Sequence, residues 1–62
     1  MRRVYFFSIR TVAGLQIWVN VNQIATVRGI DTGTEIHMSN DRMYIVPESV
    51  EWVMKQLLAL TE

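Results

Sequence analysis

Apolar and polar positions alternate with a period of two along most of this chain, and the period changes only after Pro47. Residues 3–11 are rich in β-branched and aromatic types, with Tyr5, Phe7 and Ile9 alternating with Phe6, Ser8 and Arg10; this predicts a first strand. Thr11-Val12-Ala13-Gly14 predicts a turn, because Gly14 can take positive φ. A second strand over residues 15–19 places Leu15, Ile17 and Val19 on one face and Gln16 and Trp18 on the other. Asn20 and Asn22 fit a connection in which short amides bond the backbone, and a third strand follows over residues 24–30. Asp31-Thr32-Gly33 is the strongest hairpin signal. In the fourth strand, residues 34–39, Ile36 and Met38 point inward against Glu35, His37 and Ser39. Asn40-Asp41 makes the next turn, and in the fifth strand Met43 and Ile45 alternate with Arg42, Tyr44 and Val46 until Pro47 stops it.

From Pro47 to Leu60 the spacing of Val50, Val53, Met54, Leu57, Leu58 and Leu60 predicts an amphipathic helix. Pro47 has its φ preset for a first helical turn, and Glu48 and Glu51 lie near the positive end of the helix dipole. Trp52 sits about 160° from Val50 at 100° per residue, on the back of that helix. The expected fold is α+β: about five antiparallel strands in a curled sheet or small barrel, followed by one C-terminal amphipathic helix. The expected core is Ile9, Leu15, Ile17, Val19, Ile24, Ile36, Met38, Ile45, Val50, Val53 and Leu57.

Length changes this picture. Sixty-two residues make one domain at most, and a core this small supplies only ~3–5 kcal/mol unless something else supports it. With no Cys and one His, disulfides are impossible and a structural zinc lacks ligands. Self-association remains, so a homodimer or higher homo-oligomer is expected, with Trp18, Trp52, Tyr44 and Phe6 as the outward aromatics that form a protein interface. Arg2 and Arg3 before Val4 to Phe7 imitate a signal peptide, but Ser8 and Arg10 break the apolar run and no A-x-A site follows. No stretch approaches the ~20 apolar residues of a membrane span. A cytoplasmic protein is expected.

The formal net charge is zero, but residues 1–30 carry four Arg and no acid, whereas residues 31–62 carry two bases against six acids. Such polarity can orient a partner or a second copy. Phe6, Trp18 and Tyr44 could share a sheet face with Arg10 and Arg42, the combination that stacks single-stranded bases. Zero net charge and an acidic second half oppose general attraction to phosphate, so nucleic acid is not expected as a partner. His37 and Glu35 share one side of a strand, but a metal would need two further ligands, with only Asp31 and Asp41 near; no metal or other cofactor is expected. No Cys nucleophile, serine elbow or phosphate-cradling glycine motif points to an enzyme.

Several of these segments together resemble a known family: Thr11-Val12-Ala13-Gly14, Ile17-Trp18-Val19-Asn20, Ile24, Asp31-Thr32-Gly33-Thr34-Glu35-Ile36, Ser39-Asn40 and Val46-Pro47-Glu48-Ser49-Val50-Glu51-Trp52-Val53. In that order, over residues 9 to about 58, the chain resembles the FlbD family of small flagellar-operon proteins, also called the swarming motility protein SwrD family. Departures from that pattern are Asp41 where the family has Gly, a first hairpin one residue shorter, and an added aromatic first strand. The resemblance implies a non-enzymatic accessory protein of flagellar or motility type acting through protein contacts, with no catalytic residue to carry over; a small phage-encoded inhibitor of a host protein is an alternative, since such a protein could share the fold. A second likeness is to the latter half of LytTR DNA-binding domains, where a similar Val-Asn turn precedes a strand, although that domain is longer and more basic. It implies a nucleic-acid-binding regulatory module.

Overall fold

In a computed structural model, residues 4–61 are described; Arg2, Arg3 and Glu62, which contribute to the charge polarity, and the predicted start of the first strand lie outside them. The strands are β1 (Phe6–Arg10), β2 (Gln16–Asn20), β3 (Ile24–Ile30), β4 (Gly33–Met38) and β5 (Met43–Val46), followed by helix α1 (Val50–Thr61). All neighbours are antiparallel, but the five strands divide into a two-stranded sheet, β1-β2, and a three-stranded sheet, β3-β4-β5. The fold is α+β, and no closed barrel forms. A single 3-10 turn, Val21–Gln23, separates the sheets, with the Asn20 side chain accepting from the Asn22 N–H at 3.0 Å. At the opposite corner the Val12 N–H donates to the Ile45 carbonyl at 2.9 Å, tying the first hairpin's turn to the edge of β5.

The two inner faces and the helix meet in one core of Phe7, Ile9, Val19, Ile36, Met38, Val46, Val53 and Leu57. In β5 the inward face is the reverse of the predicted one: Val46 is buried and Tyr44 packs against the core, whereas Met43 is exposed and Ile45 only half-buried. The register sets this, because Val46 opposes Thr34 and Tyr44 opposes Ile36, whose side chains already face inward, and one residue of slip would turn the whole strand over. Leu15 was also expected inside and is 64% exposed. It directly follows Gly14 in the turn, beyond the end of β1. A bulge between Ile24 and Thr26 in β3 shifts the side-chain phase, so Ile24 and Val27, three apart, both face the core.

The helix starts at Val50, three residues later than predicted. Ser49 caps it, its Oγ accepting from the Trp52 N–H at 3.2 Å. Thr34, fully buried, donates its hydroxyl to the Glu48 carbonyl at 2.8 Å and holds the entry segment off the helical path. The buried stripe is narrower than the predicted one: Val53 and Leu57 are buried and Leu60 packs against the core, while Met54 and Leu58 are exposed.

Candidate protein-interaction surface

The outward face of the β1-β2 hairpin is built by alternation. β1 and β2 pair as Phe6–Asn20, Phe7–Val19, Ser8–Trp18, Ile9–Ile17 and Arg10–Gln16. Phe7, Ile9 and Val19 are buried, so Phe6, Ser8, Arg10, Gln16, Trp18 and Asn20 lie on the other side. The phase of the ladder is set at its ends, where the Thr11 N–H donates to the Leu15 carbonyl at 2.8 Å and the Val21 N–H to the Tyr5 carbonyl at 2.9 Å. Counting from either end makes Ser8–Trp18 and its outward neighbours non-hydrogen-bonded pairs, whose side chains approach more closely than in bonded pairs.

Trp18 is 65% exposed and Phe6 is 53% exposed. They are diagonal neighbours across the two strands, about 7–8 Å apart and within reach of each other for aromatic side chains. The polar residues of the face bind locally: Gln16 Nε2 donates to Ser8 Oγ at 3.1 Å, and Arg10 Nη1 donates to the Gly14 carbonyl at 3.3 Å. Among the described residues no acid lies on this face, and Arg10 is its one charged side chain. The rest of the guanidinium fork is available.

The other predicted interface residues are elsewhere. Trp52 lies against Phe7, with ring centroids 6.3 Å apart and planes inclined by 40°, so it covers the edge of the core and is 43% exposed. Tyr44 is half-buried on the inner face of the other sheet. Arg42 is exposed in the β4-β5 turn, its N–H donating to Asn40 Oδ1 at 3.1 Å. The predicted grouping of Phe6, Trp18 and Tyr44 with Arg10 and Arg42 therefore separates, and only Phe6, Trp18 and Arg10 share a face.

A second polar group lies on the outward face of β3-β4-β5. Arg28 opposes Glu35, and Glu35 Oε1 accepts from Arg28 Nη2 at 2.7 Å, from Arg28 Nε at 3.1 Å and from His37 Nε2 at 3.1 Å. The His37 hydrogen bond holds the Glu35 carboxyl below its ordinary value of 4.5, partial burial opposes this, and Arg28 adds to the lowering. Arg28 escaped the sequence reading although the signal was present: counting back from the Asp31-Thr32 turn places residue 28 opposite residue 35. Among the described residues no group of three or more His, Cys, Asp or Glu could hold a metal ion.

A cleft of about 310 Å³ opens where the β3-β4 turn faces the start of α1, lined in part by Asp31, Thr32, Pro47, Ser49 and Glu51. Glu51 is the acid of the helix's first turn, at the end whose dipole favours negative charge, and Asp31 lines the cleft from the β3-β4 turn. Among the described residues no helix is long and apolar enough to cross a membrane. No protein-family model, curated protein or solved structure matches the chain.

Proposed function

We propose that this chain is a non-enzymatic cytoplasmic accessory protein that works through protein–protein contacts, its own copies among its partners, in the manner of the FlbD-type motility proteins it resembles. The observation that carries the reading is the pair Phe6 and Trp18, side by side on one hairpin face and more than half exposed. Tryptophan is among the residues most enriched at interface hot spots, and an aromatic pair without cover is an unusual use of apolar area in so small a chain. The resemblance through Val46 to Val53 falls on residues that build the strand-to-helix crossing, Val46 and Val53 in the core and Ser49 at the cap. That supports a shared architecture with protein contact as its output. Against catalysis, the carboxylate best placed beside a His, Glu35, already accepts three hydrogen bonds at one oxygen. Against nucleic acid, Arg10 is the one cation that the described residues place on the aromatic face, and sequence-independent binding scales with the number of phosphates neutralised.

Photo-crosslinking tests this reading. A benzophenone side chain replacing Trp18 in cells should yield discrete protein adducts that the same group replacing Thr32, at the far end of the molecule's other sheet, does not. Adducts to nucleic acid, or none above the Thr32 control, would contradict it.

A further inference from the structure

We infer that the outward face of the β1-β2 hairpin seats a second copy of this chain, docked face to face about a twofold axis that crosses the strands at Ser8 and Trp18. This rests on the reading that the chain works through protein contacts, and it names the partner and the register. The face is a small grid of three rows: Phe6 with Asn20, Ser8 with Trp18, and Arg10 with Gln16. Its chemistry is graded along the strand, an aromatic at one end, a cation at the other and an indole at the middle. A twofold axis across the strands reverses that gradient in the second copy. Trp18 then meets the partner's Trp18 at the axis, Phe6 meets the partner's Arg10, and Gln16 meets the partner's Asn20.

Each contact has a physical basis. Two indoles fill the ~10 Å spacing of facing sheets. An arginine over a phenylalanine ring makes a cation–π contact, and Arg10, held by one 3.3 Å bond to the Gly14 carbonyl, has donors to spare. The amides are mutually complementary donors and acceptors. The other in-plane axis, parallel to the strands, is disfavoured by charge. It would bring both Arg10 side chains to the same end, over no acid, whereas the axis across the strands separates them by about 13 Å along the ladder, beyond the ~8 Å screening length.

The area is consistent with a second copy. The exposed parts of Phe6 and Trp18 remove roughly 250 Å² per copy from water. With the stems of Arg10 and Gln16 and with Val4 at the rim, a pair of chains reaches about 1,000 Å², where specific interfaces begin. The dimer is therefore concentration-dependent, and its affinity rests on the central tryptophan pair.

The register is tested by charge complementation. Sedimentation equilibrium is run on the wild type, on Phe6→Lys, on Arg10→Glu and on an equimolar mixture of the two variants, with circular dichroism verifying that each is folded. The wild type should dimerise and each variant alone should dimerise at least ~30-fold more weakly. The mixture should recover the dimer, because the introduced lysine meets the introduced glutamate while the remaining Arg10 still meets a Phe6. Dimerisation that ignores both substitutions would overturn this face while leaving self-association in place. Loss in both variants without recovery in the mixture would overturn this axis. A wild-type chain that stays monomeric would overturn self-docking altogether, and the protein-contact reading would then be decided by crosslinking at Trp18.

Discussion

Trp52 rests on Phe7, its ring centroid 6.3 Å from that of the phenylalanine and its plane tilted by 40°. Phe7 is buried and Trp52, itself 43% exposed, covers it from the helix side, while Trp18 faces away from the core. Truncating Trp52 to Ala uncovers Phe7 and forfeits the indole's buried part, a loss of about 2 kcal/mol. For a chain of this size that lowers the melting temperature by roughly 10 °C, which thermal denaturation followed by circular dichroism measures.

Gly33 has a second, steric constraint besides its φ of 145°. A Cβ there would lie 1.9 Å from the Val46 carbonyl oxygen and 2.9 Å from Pro47 Cα. Both are backbone atoms of the segment that leads into α1, and neither can swing aside. Gly33→Ala should cost at least ~3 kcal/mol, combining strain with displacement of that segment, and should leave the chain largely unfolded at 37 °C. A cooperative melt close to that of the wild type would refute the close approach.

Gly14 and Asp41 occupy equivalent places in two turns of the same design. In the first, the Gly14 N–H donates to the Thr11 carbonyl and the Thr11 N–H to the Leu15 carbonyl; in the second, the Asp41 N–H donates to the Met38 carbonyl and the Met38 N–H to the Arg42 carbonyl. Both residues have left-handed φ, 88° at Gly14 and 69° at Asp41. Glycine carries no penalty in that region, whereas Asp tolerates it with some strain. After allowance for the greater unfolded-state freedom of glycine, Asp41→Gly should stabilise the chain by roughly 0.5 kcal/mol, or about 2–4 °C. Equilibrium urea unfolding with an unchanged slope is the check.

Glu35 makes stability depend on acid. Its carboxyl titrates below the ordinary 4.5 in the folded chain, chiefly because of the His37 hydrogen bond, with Arg28 assisting against partial burial. The unfolded state therefore binds more protons than the native state as pH falls through this range. The contribution is fully present above pH 4.5 and is lost as pH falls through the lower native value. Glu35→Gln should flatten that part of the acid limb, measured as unfolding free energy against pH. A profile parallel to the wild type would contradict the assignment.

The legible parts of this fold are those where local chemistry and alternation agree. Asp31-Thr32-Gly33 turns where predicted, and Ile36 and Met38 point inward along β4, because glycine and a polar–apolar period leave no alternative. Where both faces of a segment are apolar, as in Met43-Tyr44-Ile45-Val46, alternation cannot choose the inner face, and the pairing of Val46 with Thr34 chooses it. Thr34 was hidden for the opposite reason: a hydroxyl is polar by type but buried once it bonds the Glu48 carbonyl. Trp18 was readable as outward from its neighbours Ile17 and Val19. Trp52 was readable as exposed from the helix period, but its contact with the Phe7 ring was not, since helix rotation is fixed by what the sheet offers.

The central claim is that the two tryptophans do different work, Trp18 in contact between chains and Trp52 within one. Sedimentation equilibrium from micromolar to hundreds of micromolar, paired with thermal melts at the lowest concentration, separates them across the wild type, Trp18→Ala and Trp52→Ala. The account predicts a wild-type monomer–dimer equilibrium, a Trp18→Ala chain that stays monomeric with an unchanged melting temperature, and a Trp52→Ala chain that associates like the wild type but melts lower. A wild-type chain that is monomeric throughout, or a Trp18→Ala chain that associates as tightly as the wild type, would contradict it.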